Sequence, residues 1–116
     1  MTTVARVSLA EEIARVCRLG NLTAGHLAQA TGGDPSSARR WLHGTRTPTG
    51  EHATRALELT ALIERLAQIM DASYIPTWLI KPIARLDDRR PVDAIREGDY
   101  REVSRLVAAL EDMPVA

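Results

Sequence analysis

The chain has 116 residues, and its 15 lysines and arginines balance its 15 aspartates and glutamates, which gives a net charge of zero. This length suits one domain, or two subdomains that share a core. Zero net charge excludes a global field that would draw the whole surface to nucleic acid or to an anionic membrane. The single cysteine, Cys17, excludes a disulfide or a cysteine-based metal site within one chain. No apolar run is long enough to span a membrane and no signal peptide opens the chain, so we expect a cytoplasmic protein.

Three short helices are predicted in the first fifty residues. Ser8 and Thr23 are suited to cap the first two, and glycines interrupt the helical pattern after each of them. Asp34 before Pro35 is a strong start signal for the third helix, which we expect to end at Gly44. Two short helices joined by a glycine-rich turn are typical of a helix-turn-helix.

The order of residue types in this segment resembles the Xre/Cro type of helix-turn-helix over about residues 8–48. His26 departs from the family, which more commonly has an acidic residue in the first helix of the motif. The positions that carry the resemblance are Leu22, Thr23, Leu27, Ala28, Thr31, Gly32, Ser37, Arg40, Trp41, Leu42, Gly44 and Pro48.

The third helix and the loop after it contain the candidate DNA-binding residues. The first half of a recognition helix reaches base edges in the major groove, and arginine is the side chain best suited to guanine. The alternative is that the arginines only solvate a helix face. We favour DNA binding because the loop adds Arg46 and the Asp34–Pro35 start fixes the entry of the helix, while Trp41 is expected in the core. We expect Ser36, Ser37, Arg39 and Arg40 in the major groove, and Gln29, His43, Thr45 and Arg46 near phosphates.

Residues 51–70 contain no proline or glycine and predict the longest helix of the chain. Apolar residues repeat along it at three- and four-residue steps, which gives a broad apolar stripe. We expect this helix to pack on the helix-turn-helix and on the C-terminal segments, and to provide the contact of a homodimer. The stripe consists of Ala56, Leu59, Leu62, Ile63, Leu66, Ile69 and Met70.

Three prolines and Gly98 divide the last third of the chain into short segments, because proline lacks an N–H donor and restricts the residue before it. We predict helices over residues 74–86, 92–97 and 100–111, the last of them capped by Asp99. Helices this short are marginal in water. They must therefore pack on each other, on the long helix or on another protein, and we expect them to leave apolar surface for a partner to cover.

The residue order of this last third resembles the toxin-binding domain of Xre/MbcA/ParS-type antitoxins. The resemblance implies an antitoxin of a type II toxin–antitoxin module that binds a RES-domain, NAD-consuming toxin and blocks its active-site cleft. It also implies an all-α fold: an Xre/Cro-like helix-turn-helix domain over residues 1–50, a connecting long helix over 51–73 and a toxin-binding domain over 74–116. The matching positions are Trp78, Pro82, Leu86, Arg89, Pro91, Ile95, Gly98, Tyr100, Val103, Leu106 and Leu110.

Eight residues of the last third are the candidate toxin contacts. Tryptophan, tyrosine and arginine are enriched at interface hot spots, and acidic residues at the end of the chain would pair with toxin arginines that otherwise hold the dinucleotide phosphates. The tail, Asp112–Ala116, would supply the occluding surface, although the usual C-terminal glycine ending of the family is absent. For Trp78, partner contact and internal packing are equal alternatives, and the arginine run of residues 85–90 has a solvated turn as its alternative. The candidates are Trp78, Arg85, Arg89, Tyr100, Glu111, Asp112, Met113 and Val115.

We expect no enzymatic activity, metal or cofactor. The three histidines lack metal-ligand spacing, and the chain has no glycine-rich nucleotide-binding fingerprint. The expected partners are the cognate RES-domain toxin, operator DNA and a second copy of the chain through the long helix, and no membrane. Two alternatives stay open: a free-standing Xre-family transcriptional repressor whose C-terminal half only dimerises, and a ParS-like module whose helix-turn-helix no longer binds DNA.

Overall fold

The computed structural model describes residues 8–113, and its regular secondary structure is helical throughout this range. One isolated β-bridge, between Ile83 and Arg89, is the exception to the helical pattern. The predicted all-α class is confirmed. The helices are α1 Leu9–Leu19, α2 Ala24–Thr31, α3 Pro35–His43, α4 Gly50–Ile69, α5 Ile75–Leu79, α6 Pro91–Arg96 and α7 Tyr100–Glu111.

Side chains cap the first two helices as their sequences predict. The hydroxyl of Ser8 accepts a hydrogen bond from the backbone N–H of Glu11 at 3.1 Å. At the start of α2 the backbone N–H of Thr23 donates to Nδ1 of His26 at 3.0 Å, and the Thr23 hydroxyl accepts from the backbone N–H of His26 at 3.4 Å. This is a capping box in which histidine takes the place of the usual glutamate or glutamine. The departure from the family pattern at His26 therefore keeps the local hydrogen bonding.

The turn between α2 and α3 is closed by glycine and by the ring of Trp41. Gly32 has φ +79°, which favours glycine, and it ends α2 in the left-handed region. A Cβ atom added at Gly33 would lie 2.7 Å from Cη2 of Trp41, so the indole packs directly against the turn. Trp41 is 4% exposed, which confirms its predicted place in the core.

Helix α4 is the central element of the core, with α1 and α2 packed on it from the N-terminal side of the chain and α7 from the C-terminal side. Its inward residues Leu59, Leu62, Ile63 and Leu66 are fully buried. Of the predicted apolar stripe, Ile69 is the exposed member, at 37%, because it points away from the core side on which Leu66 and Met70 pack.

The predicted helix over residues 74–86 is wrong. Helix α5 ends at Leu79, because Pro82 lacks an N–H donor and disfavours helical backbone in the residue before it. The chain then makes a 3₁₀ turn, Ala84–Leu86, and two consecutive aspartates with φ near +60° reverse its direction before α6. Asp99 precedes α7 as predicted but makes no side-chain cap, since its carboxylate accepts a hydrogen bond from Arg89 instead.

The short C-terminal helices are packed inside the chain. Helix α6 lies against α2 of the helix-turn-helix segment, and α7 lies against α4 and α6, so the two predicted subdomains share one hydrophobic core. Leu79, Leu86, Ile95, Val103 and Val107 are all at most 2% exposed. The expectation that these segments leave a large apolar surface for a partner is therefore wrong for most of their residues.

Candidate functional site

Four of the predicted DNA-binding residues lie on one face of α3. Ser36, Arg39, Arg40 and His43 follow one another at three- and four-residue steps and are exposed. Together with Thr45 they line one open depression, called here the α3 face. The opposite side of α3 is held in the core by Ala38 and Trp41. The helix therefore presents two adjacent arginines on a rigid support.

Ser37 and Arg46 lie on a neighbouring groove at the start of α4, with Trp41 and His52 as further lining residues. The Ser37 hydroxyl donates to a carboxylate oxygen of Asp34 at 3.1 Å, so it is already engaged within the chain. The hydrogen bonds from Ser37 also hold the pKa of Asp34 below its usual range. The groove thus combines Arg46 with the N-terminus of a 20-residue helix that has no side-chain cap.

The arginines on these two grooves have acidic neighbours, but in the described range they make no direct salt bridge to them. Within residues 8–113, Arg39, Arg40 and Arg46 form no ion pair with a carboxylate. The negative charges of Asp34 and Glu51, at the starts of α3 and α4, would repel an anionic ligand. The Asp34 carboxylate caps α3, where it accepts a hydrogen bond from the backbone N–H of Ser37. Gln29 is exposed on α2 and lines neither groove.

Trp78 and Tyr100 are packed into the chain. Trp78 is 8% exposed and belongs to the core cluster, so internal packing is its role in the lone chain. Tyr100 is half-buried at the start of α7 and lines a shallow polar groove with Glu58 and Asp99. Of the two predicted aromatic contacts, Tyr100 is the more exposed in the described structure and lines this groove.

Arg85 and Arg89 have different environments, although both lie in the arginine run. Arg89 donates to Asp99 at 2.7 Å, to Glu97 at 3.2 Å and to the carbonyl of Leu86 at 2.9 Å. These carboxylates raise the pKa of Arg89 and hold the turn to the start of α7. Arg89 therefore stabilises the fold of the lone chain by joining the turn to the start of α7.

Arg85, by contrast, is exposed and lines a groove against α7 with Glu102, Arg105 and Leu106. Leu106 is one of the positions that carry the family resemblance, but Glu102, Arg105 and Leu106 are not among the predicted toxin contacts. The exposed face of an amphipathic α7 was the available signal for them, because buried residues occur only at Val103 and Val107 in that helix.

The end of α7 carries the last predicted contacts. Glu111 accepts two hydrogen bonds from Arg65 of α4, at 2.7 and 3.2 Å, and this contact lowers the pKa of Glu111. Asp112 and Met113 are exposed, Met113 by 63%. Val115 lies outside the described residues. Glu111 is thus exposed but engaged with Arg65, and the exposed side chains of Asp112 and Met113 follow it.

The part of the chain that the structure describes shows no metal site, no reactive cysteine and no membrane-spanning helix. No group of three or more histidine, cysteine, aspartate or glutamate residues within it is arranged to hold a metal ion. Cys17 is buried, and burial raises the pKa of its thiol to about 11, so it is a weak nucleophile. Among residues 8–113, no helix has the length and apolar character needed to cross a membrane.

Comparison with known proteins identifies relatives along most of the chain. The mycobacterial cidal antitoxin MbcA of Mycobacterium tuberculosis and that of Mycobacterium bovis are each 30% identical to it over 95 residues, which is 82% of this chain and 83% of the relative. A chain from the crystal structure of the M. tuberculosis MbcT–MbcA toxin–antitoxin complex superposes with a TM-score of 0.81 and 26% identity. That match covers 95% of this chain and 100% of the other.

No family model matches the chain. The relatives are antitoxins, in agreement with the expectation that the chain is not an enzyme. The identity to MbcA extends over more than four-fifths of both proteins, and the helices superpose along almost the whole length. The chain belongs to the MbcA family of antitoxins.

Proposed function

We propose that the chain binds and neutralises a RES-domain, NAD-consuming toxin by covering its active-site cleft, and that it also binds operator DNA. The observation that carries the proposal is the match, over 95% of the chain, to an antitoxin crystallised with its toxin. The RES class of the toxin and its use of NAD follow from the resemblance of the residues between Trp78 and Leu110 to Xre/MbcA/ParS-type antitoxins.

The surface that fits toxin binding extends from the groove at Arg85 to the end of α7. Arg85, Glu102 and Arg105 offer alternating charges on this surface, and Met113 offers an exposed apolar side chain beyond the helix. Asp112 and Met113 are exposed just beyond the last helical residue of α7, where a cleft of the toxin has access to them. We therefore assign occlusion to residues 112–116 and broader contact to the outer face of α7.

The test uses the products of the genes that flank the gene for this chain. Each is co-expressed with the chain, co-purification is scored, and NAD consumption by any bound product is measured. Removing residues 112–116, which keeps Glu111 paired with Arg65, is expected to restore NAD consumption while binding persists. A chain shortened by five residues at the N-terminus is the control for truncation itself. Full neutralisation by the C-terminally shortened chain contradicts the occlusion model.

DNA binding is supported by the α3 face. Arg39 and Arg40 are exposed, share this face and have no ion-pair partner within the described residues. The neighbouring groove adds Arg46 and the uncapped start of α4, where backbone N–H groups are available to a phosphate. The Ser37 hydroxyl is committed to Asp34, so we assign base reading to Ser36, Arg39 and Arg40.

The expected effect of Arg40→Ala is a loss of about 1–3 kcal/mol of affinity for the DNA upstream of the gene. The assay is a titration at fixed salt with a labelled fragment. Arg101→Ala, a change on the exposed face of α7, is the matched control and is expected to bind as the unaltered chain does. Equal binding by the Arg40 and Arg101 variants removes Arg40 from the DNA site. Absence of binding by the unaltered chain favours the ParS-like alternative.

A homodimer through α4 completes the proposal. The outer face of this helix carries Leu57, 51% exposed, with Thr54 and Ala61 exposed on the same side. A two-fold homodimer brings the same patch of both subunits together, so two copies of this stripe would face each other. Leu57→Glu is expected to give a monomer by light scattering, whereas Leu19→Glu, an exposed leucine on α1, leaves the dimer intact. A dimer that survives Leu57→Glu contradicts this contact.

A further inference from the structure

The last turn of α7 is tied to α4 by one arginine. Arg65 donates to both carboxylate oxygens of Glu111, at 2.7 and 3.2 Å. The same guanidinium donates to the Ser104 hydroxyl at 2.7 Å and to the Ser104 carbonyl at 3.3 Å. The side chains of Arg65 and Glu111 are 28% and 35% exposed, so this clasp of three residues is partly shielded from water.

Apolar packing holds the first part of α7 but weakens towards its end. Val103 and Val107 are fully buried, whereas Leu110 is only half-buried and residues 111–113 are exposed. A bidentate arginine–carboxylate pair fixes direction as well as distance, because two parallel N–H donors meet two oxygens. The clasp therefore adds a directional contact at the final turn, where the half-buried Leu110 is the remaining apolar contact with the core.

We propose that the clasp of Arg65, Ser104 and Glu111 is a positioning device that fixes the direction in which Asp112 and Met113 leave α7 towards the toxin. This inference rests on the proposed function. It assigns Glu111 a role within the chain, in place of the predicted contact with toxin arginines. Arg65 lies on α4, in the connecting helix, so the device lies outside the predicted set of toxin contacts.

The geometric part is tested on the lone chain by hydrogen exchange. The backbone N–H groups of Asp112 and Met113 donate to the carbonyls of Ala108 and Leu110 at 3.1 and 3.3 Å. Arg65→Ala is expected to speed exchange at the end of α7 on the order of tenfold, because the clasp is lost. Arg15→Ala breaks a pair that joins α1 to Glu64 of α4, at 3.0 Å, and is the matched control. Unchanged exchange in the Arg65 variant overturns the inference whatever the partner does.

The functional part is tested by charge exchange, with the NAD-consuming enzyme that co-purifies with the unaltered chain. Arg65→Glu and Glu111→Arg are each expected to raise the chain concentration for half-inhibition on the order of tenfold, and the double exchange to restore most of the loss. Thermal unfolding midpoints are recorded for all variants, with Arg15→Ala as the control for stability alone. If Arg15→Ala lowers the midpoint as far as the clasp variants do and still inhibits normally, the weaker inhibition by the clasp variants comes from a misplaced chain end and not from lower stability.

Besides unchanged exchange in the Arg65 variant, two results of the inhibition assay overturn the inference and leave the proposed function standing. One is normal inhibition by both single variants. The other is a folded double variant that stays as weak as Glu111→Arg, because Glu111 then contacts the enzyme directly. An unaltered chain that inhibits no enzyme overturns the proposed function, and the inference with it.

Discussion

Replacing Trp78 by alanine tests whether this residue belongs to the core or to an interface. Trp78 is 8% exposed and packs with the core cluster beside Leu79. A buried aromatic side chain of this size removes roughly 150–250 Å² from water, and Trp→Ala changes in cores cost about 3–5 kcal/mol. A loss of about 4 kcal/mol lowers the ratio of folded to unfolded chain roughly a thousandfold. Since domains of this size are stable by about 5–15 kcal/mol, the variant is expected to keep only about 1–11 kcal/mol and to unfold at a much lower urea concentration.

The assay is urea unfolding of the lone chain followed by far-UV circular dichroism. Thr77→Ala, an exposed change in the same short helix, is the matched control and is expected to lie within about 0.5 kcal/mol of the unaltered chain. A Trp78→Ala variant as stable as the Thr77 control refutes the reasoning. Trp78 would then be available for partner contact, the alternative to internal packing that the sequence leaves open.

Two further predictions concern the helix-turn-helix segment. Gly33→Ala is expected to lower the free energy of unfolding in urea by about 1–3 kcal/mol, because the new Cβ would lie 2.7 Å from the Trp41 ring. Gly25→Ala is the control: its Cβ meets only the Thr23 hydroxyl at 3.4 Å, and the change is expected to be neutral or stabilising by up to about 1 kcal/mol. Equal effects of the two changes contradict this packing. Burial lowers the pKa of His26 in the folded chain, so His26 is protonated at a higher pH in the unfolded chain than in the folded one. The free energy of unfolding is therefore expected to fall as the pH drops below 6.5, the ordinary pKa of histidine. His26→Gln keeps an acceptor for the capping box and is expected to flatten this dependence between pH 7.5 and about 5; an unchanged slope excludes His26 as its source.

The N-terminal half of the fold was predictable because its signals are local. Asp34 and Pro35 mark the start of α3, and Ser8 and Thr23 cap α1 and α2, whatever lies elsewhere in the chain. Periodicity likewise predicted α4 and its buried face. These elements depend on neighbours within four residues.

The C-terminal half depended on contacts that the sequence does not reveal. The packing of α6 against α2 joins residues sixty or more positions apart, and the shared core that results buries both Ile95 and Trp78. The charged partners are also distant in the sequence. Arg89 pairs with Asp99, ten residues away, and Glu111 pairs with Arg65 of α4, 46 residues away. A sequence pattern identifies such residues as charged or aromatic, but tertiary contacts decide whether they stay available to a partner.

The most direct test of the proposed neutralisation is the NAD consumption of the co-purified enzyme, measured while the chain is added in increasing amounts. Consumption is expected to fall to zero near a fixed molar ratio and to return when residues 112–116 are removed. Consumption that continues unchanged in the presence of bound, full-length chain contradicts the claim that this protein neutralises its partner by covering the active site.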